Sequence, residues 1–241
     1  MEPLGFTNPQ IQRLRRLIGR RSARRDEGAF VVEGAVLVGE AQRAGWQVEM
    51  QYVAPGGTPV DGPPVRELAA GVLERLASTE SPQPLVAVVR MPEPPRPGNW
   101  RRVMVCAGVA DPGNLGTIIR SAEAAGCDLV ALTPGTVDPF SPKVVRSSAG
   151  ALFHVPVLVD ADPAALGVEL VGTSSHQGLD YRVADLSGPV GVVVGSEAHG
   201  VPDDVAVQRW VTIPHEGRSE SLNAAMAATL LVFEVMHQQA R

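Results

Sequence analysis

Residues 191–226 read GVVVGSEAHGVPDDVAVQRWVTIPHEGRSESLNAAM, and the fold is decided in this stretch. One apolar run ends at Gly195-Ser196-Glu197, a turn-rich crossing follows, and a second run ends at Ile213-Pro214. A polar loop then leads to Ser221-Leu222-Asn223, which opens an apolar helix. Small and polar residues stand where both strands stop. In an open α/β sheet a ligand binds beyond the carboxyl ends of the strands, because loops there can meet it without disturbing the packed layers.

Working back from this stretch, strand and helix alternate. RRVMVCAGV (101–109), DLVALTP (128–134), HVPVLV (154–159), VELVGTSS (168–175), GPVGVVVGSE (188–197) and RWVTIP (209–214) read as strands. NLGTIIRSAEAA (114–125), stopped by Gly126, and KVVRSSAGALF (143–153) read as helices, with a short one at 163–166. Nearly all-apolar strands between helices predict an α/β module with a mostly parallel sheet covered on both faces. MPEPPRPGNW (91–100) has little to pack and marks a boundary, so the expected domains are 1–95 and 99–241. In the first, Thr7-Asn8-Pro9 caps a helix carrying Ile11, Leu14, Leu17 and Ile18 at helical spacing. A strand, a helix and a strand (29–54), a turn-rich loop, a short strand and helix (65–78) and a closing strand (84–92) complete a smaller α/β unit.

With 241 residues, 44% of them hydrophobic, the chain can bury real cores. Its net charge of -5 is unevenly spread. Residues 1–25 hold seven arginines (Arg13, Arg15, Arg16, Arg20, Arg21, Arg24, Arg25) against Glu2, whereas residues 99–241 hold nine Lys or Arg against fifteen Asp or Glu. A basic end on an acidic body suits a polyanion partner; a solvated helix face is the plain alternative. Two cysteines without a CxxC pattern or a histidine cluster indicate neither a disulfide framework nor a metal site. No apolar run approaches the ~18 residues of a membrane span and no secretory signal is present, so a cytoplasmic protein is expected.

Several residues carry candidate chemistry. Asp111-Pro112-Gly113-Asn114-Leu115-Gly116 follows a strand and opens a helix, the general plan of an anion or nucleotide site, but it is not the GxGxxG of a dinucleotide fold. Asn114 serves such a site or simply caps the helix. Arg120 projects away from the buried stripe of Leu115, Ile118, Ile119, Ala122 and Ala125. Ser141-Pro142-Lys143 and Arg146-Ser147-Ser148-Ala149-Gly150 combine cations with small residues in a way that suits phosphate, or simply form a solvated helix face. Thr173-Ser174-Ser175-His176 ends a strand near Gly195, and Glu197 needs a partner or solvent; Arg120 is a candidate partner, or is held in a structural salt bridge with Glu123.

Three blocks, Asn114-Leu115-Gly116-x-x-x-Arg120, Gly195-Ser196-Glu197-x-x-Gly200, and Ile213-Pro214 followed by Ser221-Leu222-Asn223, resemble in order and spacing the motifs of the SpoU (TrmH) family of RNA ribose 2'-O-methyltransferases. Ser141-Pro142-Lys143 to Gly150-Ala151-Leu152-Phe153 resembles that family's intervening segment. The amino-terminal module, with Phe30-Val31-Val32-Glu33-Gly34, is similar to the family's L30e-like substrate-binding domain. The resemblance implies a trefoil-knotted α/β fold of SPOUT type at the carboxyl end, S-adenosylmethionine as cofactor, no metal, and a homodimer. It implies that Gly195, Ile213 and Leu222 hold the cofactor chiefly through backbone groups, with Thr173 and Ser174 nearby. Asn114, Arg120, Glu197, Ser221 and Asn223 would be the catalytic motif side chains, Ser221 serving the site or capping a helix. RNA would be held by Arg13, Arg16, Arg20, Arg21, Arg24, Lys143 and Arg146. The expected substrate is 23S ribosomal RNA, in a housekeeping or an antibiotic-resistance role; a transfer RNA or a non-catalytic RNA-binding role is the alternative.

Overall fold

The computed structural model describes residues 2–76, 82–196, 198–218 and 220–240. Contacts divide the chain into two units, Met1–Glu93 with Asp138–Phe153, and Pro94–Val137 with His154–Arg241.

Helix α1 (Pro9–Gly19) starts where the Asn8 side chain accepts the Gln10 N–H at 2.9 Å, and it buries Ile11, Leu14 and Leu17. Arg20 takes an extended conformation (φ -130°), so the arginine-rich stretch breaks and restarts as α2 (Arg21–Glu27). β1 (Ala29–Glu33), α3 (Ala35–Arg43), β2 (Val48–Val53), β3 (Val65–Glu67), α4 (Val72–Leu76) and β4 (Leu85–Arg90) follow. The sheet order is β1-β4-β2-β3. β4 lies antiparallel to both β1 and β2, while β3 joins β2 in parallel, giving a mixed sheet. Ile11, Leu14 and Leu17 meet Val31, Val86 and Val88 in its core.

The second unit runs β5 (Arg102–Ala107), α5 (Pro112–Ala124) and β6 (Leu129–Leu132), and resumes after α6 (Pro142–Ser147) with β7 (Val157–Val159), β8 (Glu169–Thr173), β9 (Leu179–Asp180), β10 (Val190–Gly195), β11 (Arg209–Thr212) and α7 (Ala224–Gln239). All six pairings in its sheet are parallel and the order is β7-β6-β5-β10-β8-β11-β9. β11 therefore enters between β8 and β9, and the chain leaving β10 must cross β8 to reach its place. Gly178 (φ +111°) makes the close passage possible, since a Cβ there would lie 2.5 Å from the Trp210 carbonyl. α7 returns to pack on α5, where Ser121 Oγ and Thr229 Oγ1 share a 2.7 Å hydrogen bond.

The segment around α6 departs from the alternation seen in the sequence. Instead of one helix over 143–153 it forms α6 and a 3-10 turn, Ala151–Phe153, separated by Ala149 and Gly150 at positive φ. Its partner is β1 of the first unit. Phe140 and Phe153 join Phe30 and Trp46 in an aromatic cluster, with Phe30–Phe140 centroids 5.0 Å apart, and Trp46 Nε1 donates to the Phe153 carbonyl at 3.1 Å. Burial of these rings decides where the segment packs; spacing alone reports only that it is apolar.

Candidate active site

Register places three strand ends side by side. β10 pairs with β8 through Val193 and Gly172, and β11 pairs with β8 through Val211 and Thr173. Thr173-Ser174, Gly195 and Ile213 thus stand at neighbouring levels on the carboxyl edge of three adjacent strands. The Ser174 amide donates to the Val211 carbonyl at 3.0 Å, while the Ser174 hydroxyl oxygen accepts from the His176 amide at 3.1 Å.

After Gly195 the chain turns back at once. Ser196 and Gly200 exchange backbone hydrogen bonds of 3.0 and 2.9 Å, and a Cβ on Gly195 would overlap the Gly200 carbonyl. Only glycine can end β10 in this loop. Glu197 lies outside the described residues. On the neighbouring strand end, His215 Nδ1 sits 3.2 Å from the Ile213 carbonyl oxygen.

The two motif asparagines meet. Capping of α5 belongs to Asp111, whose carboxylate accepts the Asn114 N–H at 2.8 Å; this leaves the Asn114 side chain for another use. Asn223 caps α7, its Oδ1 accepting from the amides of Ala225 (2.9 Å) and Met226 (3.3 Å). That orientation turns Nδ2 outward, and it donates to Asn114 Oδ1 at 3.0 Å. Ser221 is exposed and is not the cap, and Leu222 beside it is 39% exposed. Arg120 is exposed on α5, about 9 Å along the axis from Asn114. Asn114 and Asn223 are thus joined by a direct bond, while Thr173, Ser174, Gly195 and Ile213 are brought level by strand pairing.

The cations expected to hold RNA separate into two kinds. Arg24 is a correction: its side chain is buried, its Nε and Nη2 donate to Asp138 Oδ2 at 2.7 and 2.5 Å, and Nη1 donates to the carbonyls of Leu17 and Ile18. It closes the first unit's interior and offers no face to RNA. Arg13 is half-buried between Glu27 (2.6 Å) and Glu49 (2.8 Å); burial opposes its charge, and the two carboxylates outweigh burial and raise its pKa. Arg16, Arg20 and Lys143 are exposed, Arg21 is half-buried, and Arg146 reaches Glu33 at 3.5 Å. Asp138, unremarked in the sequence, is the anchor of Arg24. Asp111-Pro112 was readable as a cap followed by proline at the first helical position. Among the described residues no cluster of His, Cys, Asp or Glu could hold a metal, and no helix is long and apolar enough to cross a membrane.

Residues 101–233 match the SpoU rRNA Methylase family and residues 8–87 match the MRM3-like substrate binding domain. The chain is 35% identical over 228 residues to the 23S rRNA (guanosine(2553)-2'-O)-methyltransferase RlmP of Bacillus subtilis, covering 89% of this chain and 91% of that one. It is 30% identical over 273 residues to the 23S rRNA (uridine(2479)-2'-O)-methyltransferase of Streptomyces viridochromogenes, covering 96% and 91%. Among solved structures, the SpoU methyltransferase AviRb from Streptomyces viridochromogenes in complex with AdoMet is similar with a TM-score of 0.85 at 29% identity, covering 97% of this chain and 99% of that one. An AdoMet-bound rRNA methyltransferase from Sinorhizobium meliloti is similar with a TM-score of 0.85 at 30% identity, covering 98% and 97%. The strand ends and the paired asparagines lie inside the matched region, and with that match covering more than half of its length the chain belongs to the SpoU rRNA methylase family, with the α/β-knot fold class that its motifs led us to expect.

Proposed function

We propose that this protein transfers the methyl group of S-adenosylmethionine to a ribose 2'-hydroxyl of 23S ribosomal RNA. The observation that carries the reading is the Asn223–Asn114 hydrogen bond, which joins the first and third motifs. The relatives' substrates supply the choice of RNA.

The residues present fit the cofactor. Three parallel strands end together in backbone groups and small side chains, with no room for a Cβ at Gly195. Gly195, Ile213 and Leu222 would hold it through backbone groups, with Thr173 and Ser174 alongside. When bound, S-adenosylmethionine supplies an electron-poor methyl group. The chain's own residues must align the 2'-hydroxyl with it and keep water away; alignment alone is worth roughly 7 to 11 kcal/mol. A guanidinium holds its proton to above about pH 12 and is a poor base. Arg120 therefore orients the 2'-hydroxyl and the adjacent phosphate, which relays the proton, while Asn114 and Glu197 fix the guanidinium and Ser221 and Asn223 brace the loops.

The acidic second unit leaves RNA binding to the first, through Arg16, Arg20, Arg21, Lys143 and Arg146, with Arg13 as a partly neutralised contributor. Residues 1–95 form the substrate-binding domain and 99–241 the methyltransferase domain, with residues 138–153 packed on the first. A second copy covers α7, where Met226 (51%), Leu230 (43%) and Phe233 (38%) are exposed on one face at helical spacing. The reaction belongs to the cytoplasm, where ribosomes are built and used.

Mapping 2'-O-methyl marks on RNA treated with the purified protein and S-adenosylmethionine tests the reading. A new mark in 23S RNA supports it, and a mark confined to transfer RNA, or none, overturns it. Replacing Arg120 by Lys keeps the charge and loses the planar fork, so methyl transfer should fall at least a hundredfold with cofactor affinity unchanged. Near-normal transfer would remove the orienting role.

A further inference from the structure

Phe6 is held in place by its surroundings. Leu4 bridges Leu68, the Leu4 amide donates to the Glu67 carbonyl at 2.8 Å, and the Phe6 carbonyl accepts from Gln12 Nε2 at 2.6 Å. The ring is partly buried against the first unit's core. Over it lies the guanidinium of Arg75, its Cζ 3.9 Å from the ring centroid, and Arg15 Cζ lies 6.0 Å from the same centroid. Both arginines are exposed, and among the described residues neither forms an ion pair, in contrast to Arg13 and Arg24.

A guanidinium centred 3.9 Å from a fixed ring, on an exposed residue, rests against that ring on one side and meets solvent on the other. Unpaired bases in RNA are recognised by such planes, aromatic or guanidinium, because every base has a π-face. Resting on Phe6, Arg75 loses little further freedom when a base stacks on it.

We infer that Phe6, Arg75 and Arg15 form a stacking platform for an unpaired nucleotide of the RNA substrate. The base lies on the outer face of the Arg75 guanidinium and Arg15 meets the flanking phosphate. This rests on the RNA reading above and deepens it by naming a single-stranded element in the substrate.

Fluorescence anisotropy with a short labelled unstructured RNA, and with a blunt duplex of the same length, tests the platform on the full-length protein. Arg75→Ala and Arg75→Lys are compared with the parent after thermal melts confirm folding, and 23S RNA methylation by the parent is measured in parallel. For both variants the unstructured RNA should bind about tenfold more weakly, the duplex should change much less, and affinity for S-adenosylmethionine should hold. Full affinity in Arg75→Lys, an equal loss on the duplex, or no binding of the unstructured RNA by the parent overturns the platform. Failure of the parent to methylate overturns the enzymatic reading instead, and a selective loss on the unstructured RNA then still supports the platform.

Discussion

Asn223 donates through Nδ2 to Asn114 Oδ1 at 3.0 Å, tying the start of α7 to the first turn of α5 across 109 residues of chain. The same side chain caps α7 through Oδ1, so its two functions can be separated. In Asn223→Asp an oxygen still caps the helix, but the donor to Asn114 is gone. Its thermal midpoint should stay near the parent's while methyl transfer falls about tenfold to a hundredfold, the scale expected of a misplaced site. Asn223→Ala should lose activity and, in addition, about 1 kcal/mol of stability. An Asp variant as active as the parent would show that the link between the helices does not position the site.

Arg24 and Asp138 form a buried pair at 2.5 Å, and Asp138 Oδ1 also accepts the Phe140 amide at 3.0 Å. Arg24→Ala leaves a carboxylate buried without its cation, which costs about 3 to 5 kcal/mol. Urea denaturation should show that loss, and the double variant Arg24→Met with Asp138→Leu should recover much of it. Single and double variants of equal stability would mean that the pair is not coupled.

Burial pushes the Cys127 thiol up to about 12, with Asp128 adding to the shift and Arg102 opposing it, and burial raises the Cys106 thiol as well. Both stay protonated in the folded chain, whereas an unfolded thiol ionises near pH ~8.5. The unfolded chain then binds fewer protons, so stability is level below that pH and declines from there toward about 12. Denaturation midpoints measured between neutral pH and pH ~10 should fall more steeply in the parent than in Cys127→Ala. In the same range the native thiols should resist alkylation.

Removing residues 1–25 would take away Ile11, Leu14 and Leu17, all fully buried, so charge substitution is the cleaner probe of the basic end. Arg16→Gln and Arg20→Gln should each weaken RNA binding and lower the slope of log affinity against log salt by about 0.7 to 0.9. Affinity for S-adenosylmethionine should hold. An unchanged slope in the double variant would place the RNA elsewhere.

Local chemistry made much of this protein legible from its residues. Asn8-Pro9 announces a helix start because a side-chain acceptor and a proline suit the first turn, and valine-rich runs such as 190–195 announce strands buried on both faces. The motif blocks pointed to the family. The side-by-side arrangement of Thr173, Gly195 and Ile213 was decided by strand order, with β11 inserted beside β8. Tertiary packing also turned Arg24 inward onto Asp138, sent residues 138–153 to the first unit, and made Asn223 rather than Ser221 the helix cap. A sequence pattern reports which groups must leave water or find a hydrogen bond. Which partner receives them depends on contacts between residues far apart in the chain, and no local spacing encodes those.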